Sequence, residues 1–206
     1  MLFRGVLVKS NSAGCRGESS LHSAPCTKIK FMHLTFQSLL TPLEQERLEL
    51  FAELEGRSDE ALNRAPGPGK WSPIQVMHHL IISEELSLRY LQKKLSYNPT
   101  LKKAGPAAFL RRWILKTYLW LPFKFKAPKA VNDEALPRYV SFVETKARWE
   151  KIRSEMTDFL EQAPKELLDK EVYKHLVAGR LTLEGMLEFF LYHGRRHMAQ
   201  IRRSLD

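Results

Sequence analysis

The stretch Phe189-Phe-Leu-Tyr-His193-Gly-Arg-Arg-His197-Met-Ala-Gln-Ile201 lies near the end of a chain of 206 residues. Its apolar residues recur at helical spacing, so we predict an amphipathic helix. His193 and His197 are four residues apart and share one helix face, with Cβ atoms about 5–6 Å apart. The apolar residues of that face are Met186, Phe190 and Ile201. Both histidines are therefore predicted to point into the protein core.

A second histidine pair lies near the start of another predicted helix. His78 and His79 follow a capping box that begins at Ser72, and His79 shares a helix face with Val76, Leu86 and Tyr90. In an antiparallel bundle, the start of this helix can lie beside the middle of the last helix. Buried imidazoles need partners, because an unsatisfied buried polar group costs about 1–3 kcal/mol. We therefore predict a three-histidine metal site whose open position can hold water or a substrate oxygen or thiolate.

Four long helices are predicted, so the fold class is all-α and the architecture is an antiparallel four-helix bundle. Capping boxes mark two helix starts, at Thr41-Pro42-Leu43-Glu44 and at Ser72-Pro73-Ile74-Gln75. The predicted helices are helix one from Thr41 to about Glu55, helix two from Pro73 to about Leu95, helix three from near Pro137 to before Pro164, and helix four from near Thr182 to about Leu205.

A basic and aromatic insert, Ser96 to Leu136, separates helices two and three. A structureless loop of that length is unusual in a compact domain, so we predict a short helix over Ala107 to Leu119. The insert either covers one end of the bundle as a packing layer or contacts a membrane surface or a substrate. Its basic and aromatic residues include Phe109, Arg111, Arg112, Trp113, Lys116, Tyr118, Trp120, Phe123, Lys124 and Phe125.

Residues 1–31 are predicted to be a disordered leader, or to arise from a mis-assigned start upstream of a native Met32. They are rich in Ser, Gly, Lys and Arg, a composition that organelle-targeting peptides share. Residues 32–206 form the predicted bundle domain. The two cysteines, Cys15 and Cys26, lie in the leader, which excludes a disulfide scaffold and makes a reducing cytoplasm the predicted location.

The formal net charge of +10 suits an anionic partner. No RNA-binding or zinc-finger motif accompanies this charge, so nucleic acid is not a predicted partner. No segment approaches the roughly 20 apolar residues that a membrane-spanning helix needs. The most apolar stretch, Trp113 to Phe125, is interrupted by Lys116, Pro122 and Lys124.

From about Leu43 to Leu205 the chain resembles the DinB-like superfamily of metal-binding bundles. The residues that carry the resemblance are Lys70-Trp71-Ser72-Pro73, His79, His193, His197 and Gln200-Ile201. The resemblance implies that three histidines hold a divalent metal ion. It places the first ligand eight positions after the tryptophan, which selects His79 over His78, and it takes the other two ligands from the last helix. We therefore predict His79, His193 and His197 as the metal ligands.

The resemblance implies metal binding first and catalysis second. Some relatives resemble thiol-dependent transferases that act with a low-molecular-weight thiol, and others resemble metal-dependent hydrolases. An enzyme that activates a thiol or a water for attack on a small-molecule substrate is the leading hypothesis. The alternative is a non-catalytic, metal-stabilised binding or stress-response module. Zinc or nickel is the expected ion, with iron third, and a homodimer is predicted.

The sequence also departs from the family pattern. The insert is larger than in compact members, and Ile82 stands where some relatives carry an acidic residue, so no catalytic carboxylate is assigned. Glu84, Glu85 and Glu188 lie close to the ligands in sequence but are predicted to be solvated or packing residues. The remaining histidines, His22, His33 and His175, are predicted to be structural or incidental.

Overall fold

The computed structural model describes residues 34–121 and 135–205. The leader predicted at residues 1–31, His33, and Phe123, Lys124 and Phe125 of the insert lie outside the described residues. The elements in chain order are α1 (Leu34–Leu54), α2 (Asp59–Asn63), α3 (Pro73–Ser96), α4 (Pro106–Trp120), α5 (Phe142–Gln162), a short 3₁₀ helix (Lys165–Leu167), β1 (Tyr173–His175), β2 (Gly179–Leu181) and α6 (Leu183–Leu205).

The predicted four-helix bundle is confirmed, and its helices are α1, α3, α5 and α6. Each helix turns an apolar stripe toward one shared core, in which Trp149 is fully buried and packs edge-to-face on Phe51. Residues at mixed three- and four-residue spacings form each stripe, as an amphipathic helix requires. The α3 stripe, for example, consists of Ile74, Met77, Ile81, Leu88 and Leu91.

Two pairs of helices in this bundle are antiparallel. Helices α1 and α5 run in opposite directions, and so do α3 and α6. For the first pair, the contacts that fix the direction are Lys146–Glu55 (3.0 Å) and Arg153–Glu44 (4.0 Å). For the second pair they are His79–His193 (3.2 Å) and Ser87–Tyr173 (2.9 Å), where Tyr173 belongs to β1 of the hairpin that leads into α6.

The other two neighbouring pairs are parallel. In α1 with α6, and in α3 with α5, partner positions advance together along both helices. The contacts that show this are Glu46–Arg195 (2.6 Å) and Glu53–Arg202 (2.6 Å) for the first pair, and His78–Thr145 (3.2 Å) and Glu84–Arg153 (2.6 Å) for the second. A parallel pair needs a connection that returns along the bundle, and the segment containing α4 provides it between α3 and α5.

The insert forms a helix as predicted, with bounds Pro106–Trp120 instead of Ala107–Leu119. Ala108, Leu115 and Leu119 are buried on its inner side, where α4 packs on α6. The short helix α2 and the antiparallel hairpin of β1 and β2 were not predicted. Within the described residues, no helix is long and apolar enough to cross a membrane.

The predicted start of helix one at Thr41 is wrong, because α1 begins at Leu34 and carries Pro42 inside it. Instead of capping the helix, the Thr41 hydroxyl donates to the carbonyl of Gln37 at 2.9 Å. A proline inside a helix costs about 3 kcal/mol through its missing donor and its clash with the preceding turn. The added turns bury Phe36 and Leu40 in the core, and this burial offsets the cost.

Helix three, in contrast, begins later than predicted, at Phe142 instead of near Pro137. A capping box fixes this start, because the Ser141 hydroxyl accepts from the Glu144 amide while the Glu144 carboxylate accepts from the Ser141 amide. This Ser-x-x-Glu pattern is a local sequence signal for the helix start that the prediction near Pro137 did not include.

Candidate metal centre

The first turn of α3 fixes where its histidines lie. The Ser72 hydroxyl accepts from the Gln75 amide at 3.2 Å, and the Gln75 side-chain oxygen accepts from the Ser72 amide at 3.0 Å. This reciprocal cap, with Pro73 in the first turn, confirms the predicted start of helix two. His78 and His79 follow within two turns and point to different neighbours.

The structure brings His79, His193 and His197 together. One ring nitrogen of each lies within 4.8 Å of the other two, and the Nε2 atoms of His79 and His193 are 3.2 Å apart. Three nitrogens at about 2.0–2.1 Å from one tetrahedral ion lie about 3.4 Å from each other, so the observed spacing is close to that of a bound site. His79 is 6% exposed, and the two histidines of α6 are half-buried.

Neighbouring side chains hold each imidazole in place. The Nδ1 of His197 contacts the side-chain oxygen of Gln200 at 2.9 Å, so this nitrogen carries the proton and Nε2 is left for a metal. The ring of His193 stacks on Phe189 with centroids 4.9 Å apart, and the ring of His79 lies 5.0 Å from Trp71. Metal-binding histidines are usually oriented by such hydrogen bonds and packing.

The electrostatics of the cluster favour neutral imidazoles. Burial lowers the pKa of His193 well below its usual range, and the nearby rings of His197 and His79 lower it further. The pKa of His197 is lowered to about 3, first by burial and then by His79. A metal binds only the unprotonated imidazole, and both rings are in that form at neutral pH. Three imidazole nitrogens on facing helices, two of them held neutral in this way, therefore fit a divalent transition-metal ion.

The family model of the DinB superfamily matches residues 42–201. The chain belongs to this superfamily. The match covers α1 from Pro42 through the histidines of α6, so it includes all three imidazoles of the cluster. The family match confirms the membership in this superfamily that Lys70-Trp71-Ser72-Pro73 and the three histidines had indicated.

Two proteins of Bacillus subtilis are similar to this DinB chain. The uncharacterized protein YuaE is 26% identical over 158 residues, which are 77% of this chain and 91% of YuaE. YfiT has a solved structure that covers 91% of this chain and 92% of its own, with a TM-score of 0.52 and 18% sequence identity. YfiT is described as a probable metal-dependent hydrolase with an unusual four-helix bundle topology. The similarity to YfiT establishes the shared fold.

His78 lies apart from the DinB cluster. Its Nε2 is 3.2 Å from the Thr145 hydroxyl, and its Nδ1 is 3.1 Å from a guanidinium nitrogen of Arg148. The pKa of His78 is lowered to about 4, first by burial and then by Arg148. Both ring nitrogens of His78 therefore contact side chains of α5.

Arginines hold the three carboxylates that sequence analysis considered near the ligands. Glu84 is buried and binds Arg153 at 2.6 and 2.8 Å, with the Trp149 indole at 3.3 Å. Glu85 binds Arg148 twice at 2.8 Å, and Glu188 binds Arg112 twice at 2.7 Å. In the described part of the chain, the cluster of possible metal-binding side chains around His79 contains histidines alone.

Two contributors to this DinB site escaped sequence analysis. Gln200 appeared only as part of the family motif, although its position three residues after His197 places both on one helix face. His175 was predicted to be structural or incidental, and its ring lies 4.4 Å from Phe189, which in turn stacks on His193. Burial lowers the pKa of His175 to about 4, and its Nδ1 accepts from the amides of Val177 and Ala178.

Proposed function

We propose that the protein is a metal-dependent enzyme, and specifically a hydrolase of a small-molecule substrate. The observation that carries the proposal is the convergence of His79, His193 and His197, whose ring nitrogens lie within 4.8 Å of one another. Three protein ligands and an open fourth position are typical of catalytic zinc sites, whereas structural sites use four protein ligands. Zinc or nickel suits the all-imidazole donor set, and iron is the third candidate.

The chain's own residues would prepare such a site before substrate arrives. His193 and His197 are held neutral by burial, so they can accept a cation without first losing protons. Gln200 fixes the ring of His197, and Phe189 fixes the ring of His193. A divalent ion bound there supplies Lewis-acid chemistry that lowers the pKa of a water or thiol on its open side.

Hydrolysis is the leading reaction because YfiT, which shares the fold, is described as a probable metal-dependent hydrolase. Transfer of a low-molecular-weight thiol is the second candidate, and one observation favours it. Glu84, Glu85 and Glu188 are all engaged by arginines, so none is poised to take a proton from an attacking water. A thiol loses its proton more readily than water and depends less on a carboxylate base.

Metal content tests the centre itself. We expect elemental mass spectrometry on natively purified protein to give close to one equivalent of a divalent metal in wild type. Little metal is expected in His193→Ala or in His79→Ala, because each removes one of three ligands. His78→Ala is the matched control, since its ring faces Thr145 and Arg148, and it is expected to retain the metal. A wild-type protein that still contains no metal after reconstitution with divalent ions would contradict the proposal.

Activity tests the reaction. Reconstituted protein is assayed against panels of esters and amides, and against electrophiles with and without low-molecular-weight thiols. Turnover that requires both the metal and His193 supports an enzyme, and dependence on added thiol decides between transfer and hydrolysis. A protein that holds one metal equivalent but turns over no substrate in either panel would favour a non-catalytic binding or stress-response module.

A further inference from the structure

The outward face of α4 is apolar and uncovered in the described structure. Trp113 is 64% exposed and Trp120 is 82% exposed, in a helix whose inner side is buried on α6. The other exposed apolar residues of this helix are Phe109, Leu110 and Ile114. Single exposed apolar residues are ordinary on protein surfaces, but a contiguous set on one helix marks an interaction surface.

Helix α4 is held firmly on α6 by side-chain contacts, so its apolar face is not exposed merely because the helix packs loosely. Arg112 binds Glu188 at 2.7 Å and Glu184 at 3.0 Å, both on α6. The carbonyl of Leu119 near the end of α4 accepts from Arg196 at 3.1 Å. Opposite these contacts, the helix presents its aromatic and aliphatic side chains to the outside.

The hairpin beside α4 also exposes apolar side chains. The Arg111 side chain donates from Nε to the carbonyl of Arg180 at 2.9 Å, which ties β2 to the helix. Leu176 and Val177, in the turn between β1 and β2, are 76% and 66% exposed. Two neighbouring elements therefore both expose large apolar side chains.

The charge of this region is uniformly positive along the sequence. Residues 99–121 contain five basic residues and no acidic residue, and these are Lys102, Lys103, Arg111, Arg112 and Lys116. The two arginines are held by Glu171, Glu184 and Glu188. The three lysines are exposed, with Lys103 3.5 Å from the exposed Asp169 and Lys116 4.9 Å from the Tyr192 ring.

We infer that α4 docks on the surface of an anionic lipid bilayer. A helix with Trp, Phe and Leu on one face and lysines at its edges can lie in the interface with its apolar side among the headgroups. Tryptophan is favoured at that depth, and anionic lipids attract the lysines. A symmetric pairing of two α4 helices would bring these lysines toward their copies, and of the three only Lys103 lies within 4 Å of a carboxylate in the described structure, so charge favours the bilayer over a second copy.

Vesicle binding by the full-length, metal-loaded protein tests this inference. We expect co-sedimentation with phosphatidylcholine vesicles that contain phosphatidylglycerol, weaker binding to pure phosphatidylcholine, and a blue shift of tryptophan emission on binding. Leu110→Ser/Trp113→Ser is expected to weaken binding at least about tenfold, because two apolar side chains no longer enter the interface. The matched control, Leu48→Ser/Val143→Ser, removes exposed apolar residues from α1 and α5 and is expected to bind as wild type.

The charge contribution has its own pair of variants. Lys102→Gln/Lys103→Gln is expected to lower the partition coefficient by about fivefold for each lysine, and added salt is expected to reduce the difference. Lys70→Gln/Lys151→Gln removes two exposed lysines elsewhere and is expected to have little effect. Circular dichroism and metal content of each variant should match wild type, which separates docking from folding and from the metal centre.

Three results would overturn the inference. The first is no binding to phosphatidylglycerol vesicles at low salt. The second is equal vesicle binding by the α4 variant and wild type, since another part of the chain would then be responsible. The third is a wild-type dimer that becomes monomeric in Leu110→Ser/Trp113→Ser, as measured by light scattering, because a second copy would then be the occupant of this face.

Discussion

At the scale of single residues, Gln200 is the side chain that sets which nitrogen of His197 is available. Its oxygen accepts the Nδ1 proton at 2.9 Å, which leaves Nε2 as the donor to a metal. We expect Gln200→Leu to lower metal affinity by about 10- to 100-fold, the usual effect of losing a hydrogen-bond partner of a metal-binding histidine. Competition with a chromophoric chelator measures the change.

The control for Gln200 is Gln92→Leu, which alters an exposed glutamine on α3. It is expected to leave metal affinity unchanged. Gln200→Glu retains an acceptor oxygen and is expected to keep affinity near that of wild type. A Gln200→Leu protein that binds metal as tightly as wild type would show that packing alone orients His197.

The sequence predicted the imidazole pair of α6 from spacing alone, because positions four apart on a helix must share a face. It did not by itself separate His78 from His79, since adjacent residues on a helix both border its inner face. The family resemblance selected His79. The structure gives the physical reason, because the ring of His78 is engaged by Thr145 and Arg148 of α5.

At the scale of elements, a buried ion pair joins α3 to α5. Glu84 and Arg153 are both buried and lie 2.6 Å apart. We expect Glu84→Ala to lower the free energy of unfolding by about 3–5 kcal/mol, because the buried guanidinium loses the carboxylate to which it is hydrogen-bonded. Chemical denaturation measures this loss.

A surface pair serves as the control for Glu84. Glu155 lies 4.0 Å from Lys151 one turn away on α5, and Glu155→Ala is expected to cost only about 0.3–0.5 kcal/mol. The double change Glu84→Met/Arg153→Met is expected to recover much of the stability, since both charges are then gone. Equal losses for Glu84→Ala and Glu155→Ala would contradict a stabilising role for the buried pair.

Helix starts show what local sequence can and cannot predict. Ser72 was identified because its cap is complete within four residues. Thr41 matched a similar pattern, but α1 continues through it because Phe36 and Leu40 bury apolar surface against distant helices. That tertiary gain is invisible in a window of four residues. The same limit applies to the short hairpin, whose Tyr173 is fixed by a contact with Ser87 on α3.

At the scale of the whole molecule, the order of helices explains the insert. Sequence patterns predicted four long helices and a fifth short one, and these predictions are confirmed. They did not predict that α1 runs parallel to α6 and α3 parallel to α5, because direction depends on which faces meet across the core. Once α3 and α5 are parallel, the chain has to return along the bundle, and α4 lies in that return.

The stability of the metal-free protein is expected to depend on pH through its buried histidines. His175, with its pKa near 4, stays neutral in the folded state down to about that pH, whereas an unfolded histidine is protonated below about 6.5. The unfolded state therefore binds more protons between pH 6.5 and 4. The stabilising contribution of His175 is present above pH 6.5 and is lost as the pH falls toward 4. The loss is up to about 1.4 kcal/mol per pH unit for each such group.

Urea denaturation with a chelator at pH 7, 6 and 5 measures this dependence. The free energy of unfolding is expected to fall with pH in wild type and to fall less steeply in His175→Phe, whose side chain does not titrate. Carboxylates such as Glu85, whose pKa is lowered by Arg148, lose their contribution only below about pH 4.5. Identical slopes for wild type and variant would show that His175 is not the group responsible.

The contact between α1 and α6 also affects how the protein is made. Its ion pairs join residues 149 positions apart, and α6 supplies two of the three clustered imidazoles. Translation adds α6 after α1, α3 and α5, so a nascent chain presents the apolar stripes of these three helices until the 23-residue α6 has left the ribosome. Core closure and assembly of the three-histidine cluster therefore follow the synthesis of the other three bundle helices. A chain terminated before α6 has neither, and it becomes a substrate for chaperones and proteases.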